Sequence, residues 1–164
     1  MRAVLFLIFI ISVVVFQGTL FNILSVKGVR PDFPLILSCG IGVYKGEMKG
    51  LLFGGIIGLL MDASTGLLIG PNLTGKASAG FLSGYIRGKI FRMTPLVYLS
   101  FFFILSLIDG ITNYLSISIF IVSSPFLGSL SDIILPQAVY NSLIGTVLLI
   151  MFERIKPVPE RLGA

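Results

Sequence analysis

Apolar residues come along this chain in long runs separated by short polar or glycine-rich breaks, and the run lengths set the elements. The runs cover Ala3 to about Leu24, Phe33 to Tyr44, about Gly50 to Met61, about Leu73 to Ile90, Thr94 to about Ile119, and about Ile133 to Phe152. About 20 apolar residues carry an α-helix across a bilayer, so the pattern predicts membrane-spanning helices. The second run is short, about 18 Å as a helix. The breaks are turn chemistry. Gly28 and Pro31 lie among charges before the second run, Lys45-Gly46-Glu47-Met48-Lys49 follows it, and Gly66, Gly70 and Pro71 separate the third from the fourth. A loop from about Val122 to Asp132 precedes the sixth. The first run is too long for a secretory signal and lacks a small-residue cleavage site, so it is read as a span.

Two of these runs carry stripes of small residues. Gly50, Gly54 and Gly58 lead to Asp62 at steps of four, and Lys76 leads to Gly80, Gly84 and Gly88 at the same step. Residues four apart share one face of a helix. Glycine inside a helix in water costs about 1 kcal/mol relative to alanine, whereas in lipid it lets two backbones approach closely. The stripes predict a helical hairpin packed through glycine. The functional alternatives are a groove for a partner's membrane helix or a homodimer face.

Composition then narrows the class. Hydrophobic residues make up 55% of the chain and charged residues 12%, with a mean hydropathy of +1.04. That balance predicts an all-α integral membrane protein of six transmembrane helices in one compact bundle over residues 1–153, with a short cytoplasmic tail at 154–164. The net charge of +5 does not point to nucleic acid, because the basic residues are scattered between apolar runs. They act as topology signals instead. With six spans and the N-terminus inside, nine of the twelve basic residues are cytoplasmic: Arg2, Lys45, Lys49, Arg87, Lys89, Arg92, Arg154, Lys156 and Arg161. If Phe33 to Tyr44 did not cross, the Arg87–Arg92 cluster would face out. Both termini are therefore expected in the cytoplasm.

Candidate chemistry is sparse. The chain has no histidine, no nucleophile–base set and no metal-ligand cluster, so no enzyme activity and no cofactor are expected. Cys39 is the single cysteine, which excludes a disulfide framework and leaves a small buried hydrophobe. Asp62 and Lys76 fall at the same outer end of the hairpin, where they form either a pair or two solvated loop-end charges. Asp109 lies well inside the fifth span, where an ionisable group costs at least about 2.5 kcal/mol and must face protein or water. Asn113 is one turn away, and Gln137, Asn141 and Gly145 form a stripe on the sixth span. Gln17 and Asn22 lie toward the outer end of the first. These polar groups map to the outer half or the middle of the membrane, and the inner half reads as almost purely apolar. The outer set is either a cavity for a ligand or partner helix, or a hydrogen-bond network that holds the bundle.

One combination resembles a known family. Arg30-Pro31-Asp32 opens an apolar span that ends in Lys45-Gly46-Glu47. Gly50, Gly54, Gly55, Gly58 and Asp62 follow, then Gly66 and Gly70, and finally Gly80, Gly84-Tyr85 and Gly88. This order, with the chain length, span count and orientation, is similar to the rod shape-determining membrane protein MreD family. The resemblance implies a non-enzymatic scaffold of the bacterial cell-elongation machinery in the cytoplasmic (inner) membrane. It would bind MreC, and indirectly MreB, RodA and a penicillin-binding protein. It also implies a fold like that of the substrate-binding component of energy-coupling-factor transporters. The rival expectation follows from that likeness: a vitamin-binding membrane subunit. A third is a channel or transporter subunit that uses Asp109 for protons.

Overall fold

The computed structural model describes residues 2–19, 25, 28–87, 89, 94–120 and 125–155. Within them the chain is helical, with no strand. Six helices follow in order: α1 (Arg2–Thr19), α2 (Phe33–Lys45), α3 (Glu47–Thr65), α4 (Pro71–Arg87), α5 (Pro95–Phe120) and α6 (Phe126–Ile155). Three of them, α3, α5 and α6, are long and apolar enough to cross a membrane.

The burial pattern is inverted relative to a protein in water. On α6 the exposed side chains Val139, Leu143, Val147 and Met151 repeat every four residues, and α1, α3 and α5 likewise present Phe9, Leu52, Ile56 and Ile104 outward. Asp62, Lys76, Asp109 and Asn141 lie inside. Exposed apolar area with buried charge suits a hydrocarbon solvent, where polar groups must turn inward.

α4 explains how a helix with three glycines, two serines and a lysine belongs in such a bundle. It packs against α3, α2 and α5, so its neighbours stand between it and the surroundings. Its contact with α3 runs through the glycines. A Cβ added to Gly50 would collide with the Gly80 carbonyl, one on Gly54 with the Lys76 carbonyl, and one on Gly58 with the Asn72 carbonyl. Gly84 in turn meets the backbone of Glu47. The stripe therefore brings backbone against backbone within this chain. Gly88, the last member of the second stripe, lies outside the described residues.

Several boundaries differ from the sequence expectation, each for a local reason. The charged break after α2 shrinks to Gly46, whose φ of +98° lets one residue turn the chain; Glu47, Met48 and Lys49 already belong to α3. α3 continues to Thr65 and ends on Gly66 in the left-handed conformation, with the Gly66 N–H donating to the Asp62 carbonyl. α5 passes through Asp109 and Gly110 without interruption. Most of the expected loop before the sixth span is helix as well, starting at Phe126, and Leu130–Ile134 forms a π-helical turn. That turn has a cause two residues further on. Pro136 cannot donate to the preceding turn and its ring crowds the carbonyl there, and widening the helix just upstream relieves both. α6 ends at Ile155, and the tail beyond it lies outside the described residues, as do Asn22 and Arg92.

The apolar core has two parts. Leu35, Cys39, Val43, Ala79, Tyr98, Phe102, Leu105 and Leu149 join α2, α4, α5 and α6, while Ile10, Phe53 and Ile57 join α1 to α3. Cys39 is fully buried there.

Candidate functional site: a buried ionic cluster beneath a polar cavity

The end of the bundle that carries the α3–α4 turn is where the polar side chains meet. Asp62, in the last turn of α3, has both carboxylate oxygens occupied. It accepts from the backbone N–H groups of Gly70, Asn72 and Leu73 at 2.8, 3.0 and 3.0 Å, and from the Asn72 side-chain amide at 2.9 Å. The first N–H groups of a helix lack partners within it, and an anion there also meets the positive end of the helix dipole. Asp62 thus caps α4 from the preceding helix.

Lys76 is fully buried one turn into α4. Its ammonium donates to the Asn72 side-chain oxygen at 2.8 Å, lies 2.9 Å from the Asp32 carboxylate and 3.6 Å from Asp109. Asp62 and Lys76 are therefore neither two solvated charges nor a direct pair. Asn72 stands between them, giving its amide hydrogens to one and its oxygen to the other.

Asp32 joins this cluster from the turn that precedes α2. It caps α2, its side chain accepting from the Leu35 N–H at 2.9 Å, while its other oxygen faces Lys76. The short segment that holds it is gripped from three sides. Gln17 of α1 donates to the Pro31 carbonyl at 2.9 Å and accepts from the Phe33 N–H at 3.2 Å. Asn141 of α6 accepts from the Asp32 N–H at 2.8 Å and donates to Ser106 of α5 at 2.8 Å. Gln137 reaches the Arg30 carbonyl at 3.4 Å. Three of the expected outer polar residues thus fasten the entry to α2. The signal for this was present in Pro31 and Asp32, a proline-restricted turn followed by a capping residue.

Asp109 and Asn113 behave differently. Asp109 is 6% exposed, and its Oδ1 has no hydrogen-bond partner. Gly75 makes the room for it, since a Cβ at that position would overlap Oδ1. Asn113 donates to the Asp109 backbone carbonyl at 2.9 Å, so its amide is spent on its own helix. Both line a cavity of ≈ 380 Å³ with Gln17, Asp32, Ile117, Ser118 and Gln137, and Arg30 lies at its exposed margin. The outer set therefore divides: Gln17, Gln137 and Asn141 brace the chain, while Asp109 and Asn113 stay with a hollow.

The opposite end of the bundle, expected to be almost purely apolar, carries one polar contact between helices. Tyr98 of α5 donates to the Glu153 carboxylate of α6, and Arg87 and Tyr44 lie close enough to interact with that pair. An apolar groove of ≈ 330 Å³ between α2 and α6 opens nearby, lined by Leu37, Gly40, Ile41, Leu148 and Phe152 among others. Among the described residues no His, Cys, Asp or Glu cluster fit to hold a metal ion occurs. Comparison of the chain with protein-family models, with curated proteins and with solved structures finds no match.

Proposed function

We propose that this chain is a non-enzymatic membrane scaffold of the bacterial cell-elongation machinery, of the MreD type, acting through MreC on lateral peptidoglycan synthesis. The supporting observation is the compactness of α2, α3 and α4. Arg30-Pro31-Asp32, Gly50, Gly54, Gly58, Asp62, Gly80 and Gly84 belong to the set that carries the resemblance, and they meet in one tightly packed unit braced by the buried Lys76–Asp32 ion pair. A rigid intramembrane block with an apolar exterior suits a platform for partner helices. In this reading all six helices span the inner membrane, both termini are cytoplasmic, and the cavity end faces outward. MreC is the direct partner; MreB, RodA and a penicillin-binding protein are reached through it.

Depletion followed by microscopy and pull-down tests the proposal. Rod-shaped cells that round up, together with loss of MreC association, are the expected result. Normal shape combined with a vitamin requirement would sink it. The second reading, a vitamin-binding subunit of an energy-coupling-factor-type transporter, is favoured by one observation: the polar cavity is of small-molecule size, within the range of about 300–1,000 Å³.

A further inference from the structure

We infer that the cavity beside Asp109 is a binding site for a small molecule carrying a primary ammonium group. The inference rests on the cavity holding a small ligand and does not depend on the scaffold role. Charge at the base of the cavity decides the ligand class. Of the three buried carboxylates at this end, Asp62 is saturated by four N–H donors of the α4 entry. Asp32 has the Leu35 N–H on one oxygen and Lys76 on the other. Asp109 shares that same ammonium at the longer distance of 3.6 Å and has nothing on Oδ1.

One lysine thus serves two carboxylates at the base of the cavity, and the other cation of its lining, Arg30, lies at the exposed margin, so negative charge prevails at the Asp109 end. A buried ionised oxygen without a donor is costly, and a cation with N–H groups to donate is its natural complement. An anionic or purely apolar ligand would make the imbalance worse or leave it uncorrected.

The shape of the site sets the rest of the ligand. From Asp109 the cavity follows α5 past Asn113 to Ile117 and Ser118, about 13 Å along the helix. Ser118 Oγ is buried without a hydrogen-bond partner at that far end. The ligand is therefore elongated, with its ammonium on Asp109 and a second polar group near Ser118. Polyamines and ω-amino acids have this form.

The test uses the full chain in nanodiscs of neutral phosphatidylcholine, so that polyamines do not collect on the lipid. Spermidine, cadaverine and aminohexanoate are titrated by calorimetry and by thermal shift, with hexanediol and hexanoate as controls lacking the amine. Binding of at least one amine, weakened about tenfold or more by Asp109→Asn, is the expected result. The Asn variant keeps the shape and leaves the Asp32–Lys76 pair in place. Ile117→Trp provides a second variant, one that fills the cavity away from the ionic cluster; it should abolish binding while leaving the unliganded melting temperature unchanged. The inference is overturned if no amine binds, if the Asn variant binds as well as the parent, or if only the controls bind. Binding of the controls alone would still leave the small-molecule reading standing, so the two fail separately.

Discussion

The Lys76 ammonium lies 2.9 Å from the Asp32 carboxylate, with the two residues 0% and 6% exposed, so α4 is tied to the entry of α2 by an ion pair withdrawn from the surface. The consequence is asymmetric. Forming such a pair gains little over an apolar contact, but removing one partner strands the other. Lys76→Met leaves Asp32 and Asp109 together without their cation, and a loss of about 3–5 kcal/mol is expected. Thermal or denaturant unfolding in detergent measures it. Adding Asp32→Asn and Asp109→Asn to Lys76→Met should restore part of the loss, because the stranded charges are then gone.

Asp62 and Lys76 provide a second test through exchange of charge. Their positions at one end of the hairpin invite the idea that they pair, in which case Asp62→Lys with Lys76→Asp would outperform either single change. The geometry predicts the opposite. Asp62 is held by N–H groups of the α4 entry, and a lysine there can accept none of them. A new aspartate at position 76 would sit beside Asp32 and Asp109. The double variant should be at least as unstable as the worse single variant, and folded yield after purification is a sufficient readout.

How much of this was legible beforehand follows from what each feature depends on. The helices follow from apolar run length, and the α3–α4 contact from glycines at a step of four, both of which are local patterns. Asp109 announced itself as a charge in an apolar run. Asp32 did not, because a carboxylate beside Pro31 looks like any turn residue until the fold sets it against Lys76. Glu153 was hidden in the same way by its place just after the last apolar run, and only the position of Tyr98 on the neighbouring helix gives it a role. The π-helical turn was foreshadowed by Pro136, yet a proline alone does not say whether a helix ends, kinks or widens. The hollow beside Asp109 is the least readable feature, since it depends on what the surrounding side chains leave unfilled.

At the other end of the bundle, Tyr98→Phe isolates the contribution of the tyrosine–carboxylate bond. The ring is 1% exposed and packs in the main apolar core, so the phenylalanine keeps the packing and removes only the hydroxyl. Glu153 is part-buried and recovers some hydration. The expected loss is about 1.5–3 kcal/mol, the scale of one hydrogen bond to a charged group, read as a lower melting temperature. Glu153→Gln should cost less than Tyr98→Phe, because the amide oxygen still accepts the bond.

The glycine contact yields the sharpest comparison, because neighbouring glycines of one helix differ in what surrounds them. Gly54 faces the Lys76 carbonyl, and a methyl group there would force α3 and α4 apart. Gly55, the next residue, has only the side chains of Leu73 and Ala77 near its added Cβ, at 3.7 and 3.9 Å, which is ordinary contact. Intrinsic helix propensity favours alanine by about 1 kcal/mol at either position, so propensity cannot separate them. Gly54→Ala should destabilise by about 1–3 kcal/mol through overpacking, while Gly55→Ala should be neutral or stabilising. The displacement at Gly54 would also carry Lys76 away from Asp32 and Asp109, since its own carbonyl is the atom struck. Gly54→Ala is therefore expected to weaken amine binding at the cavity as well as stability, and Gly55→Ala neither; equal effects from the two substitutions would mean that the hairpin is not held by backbone contact.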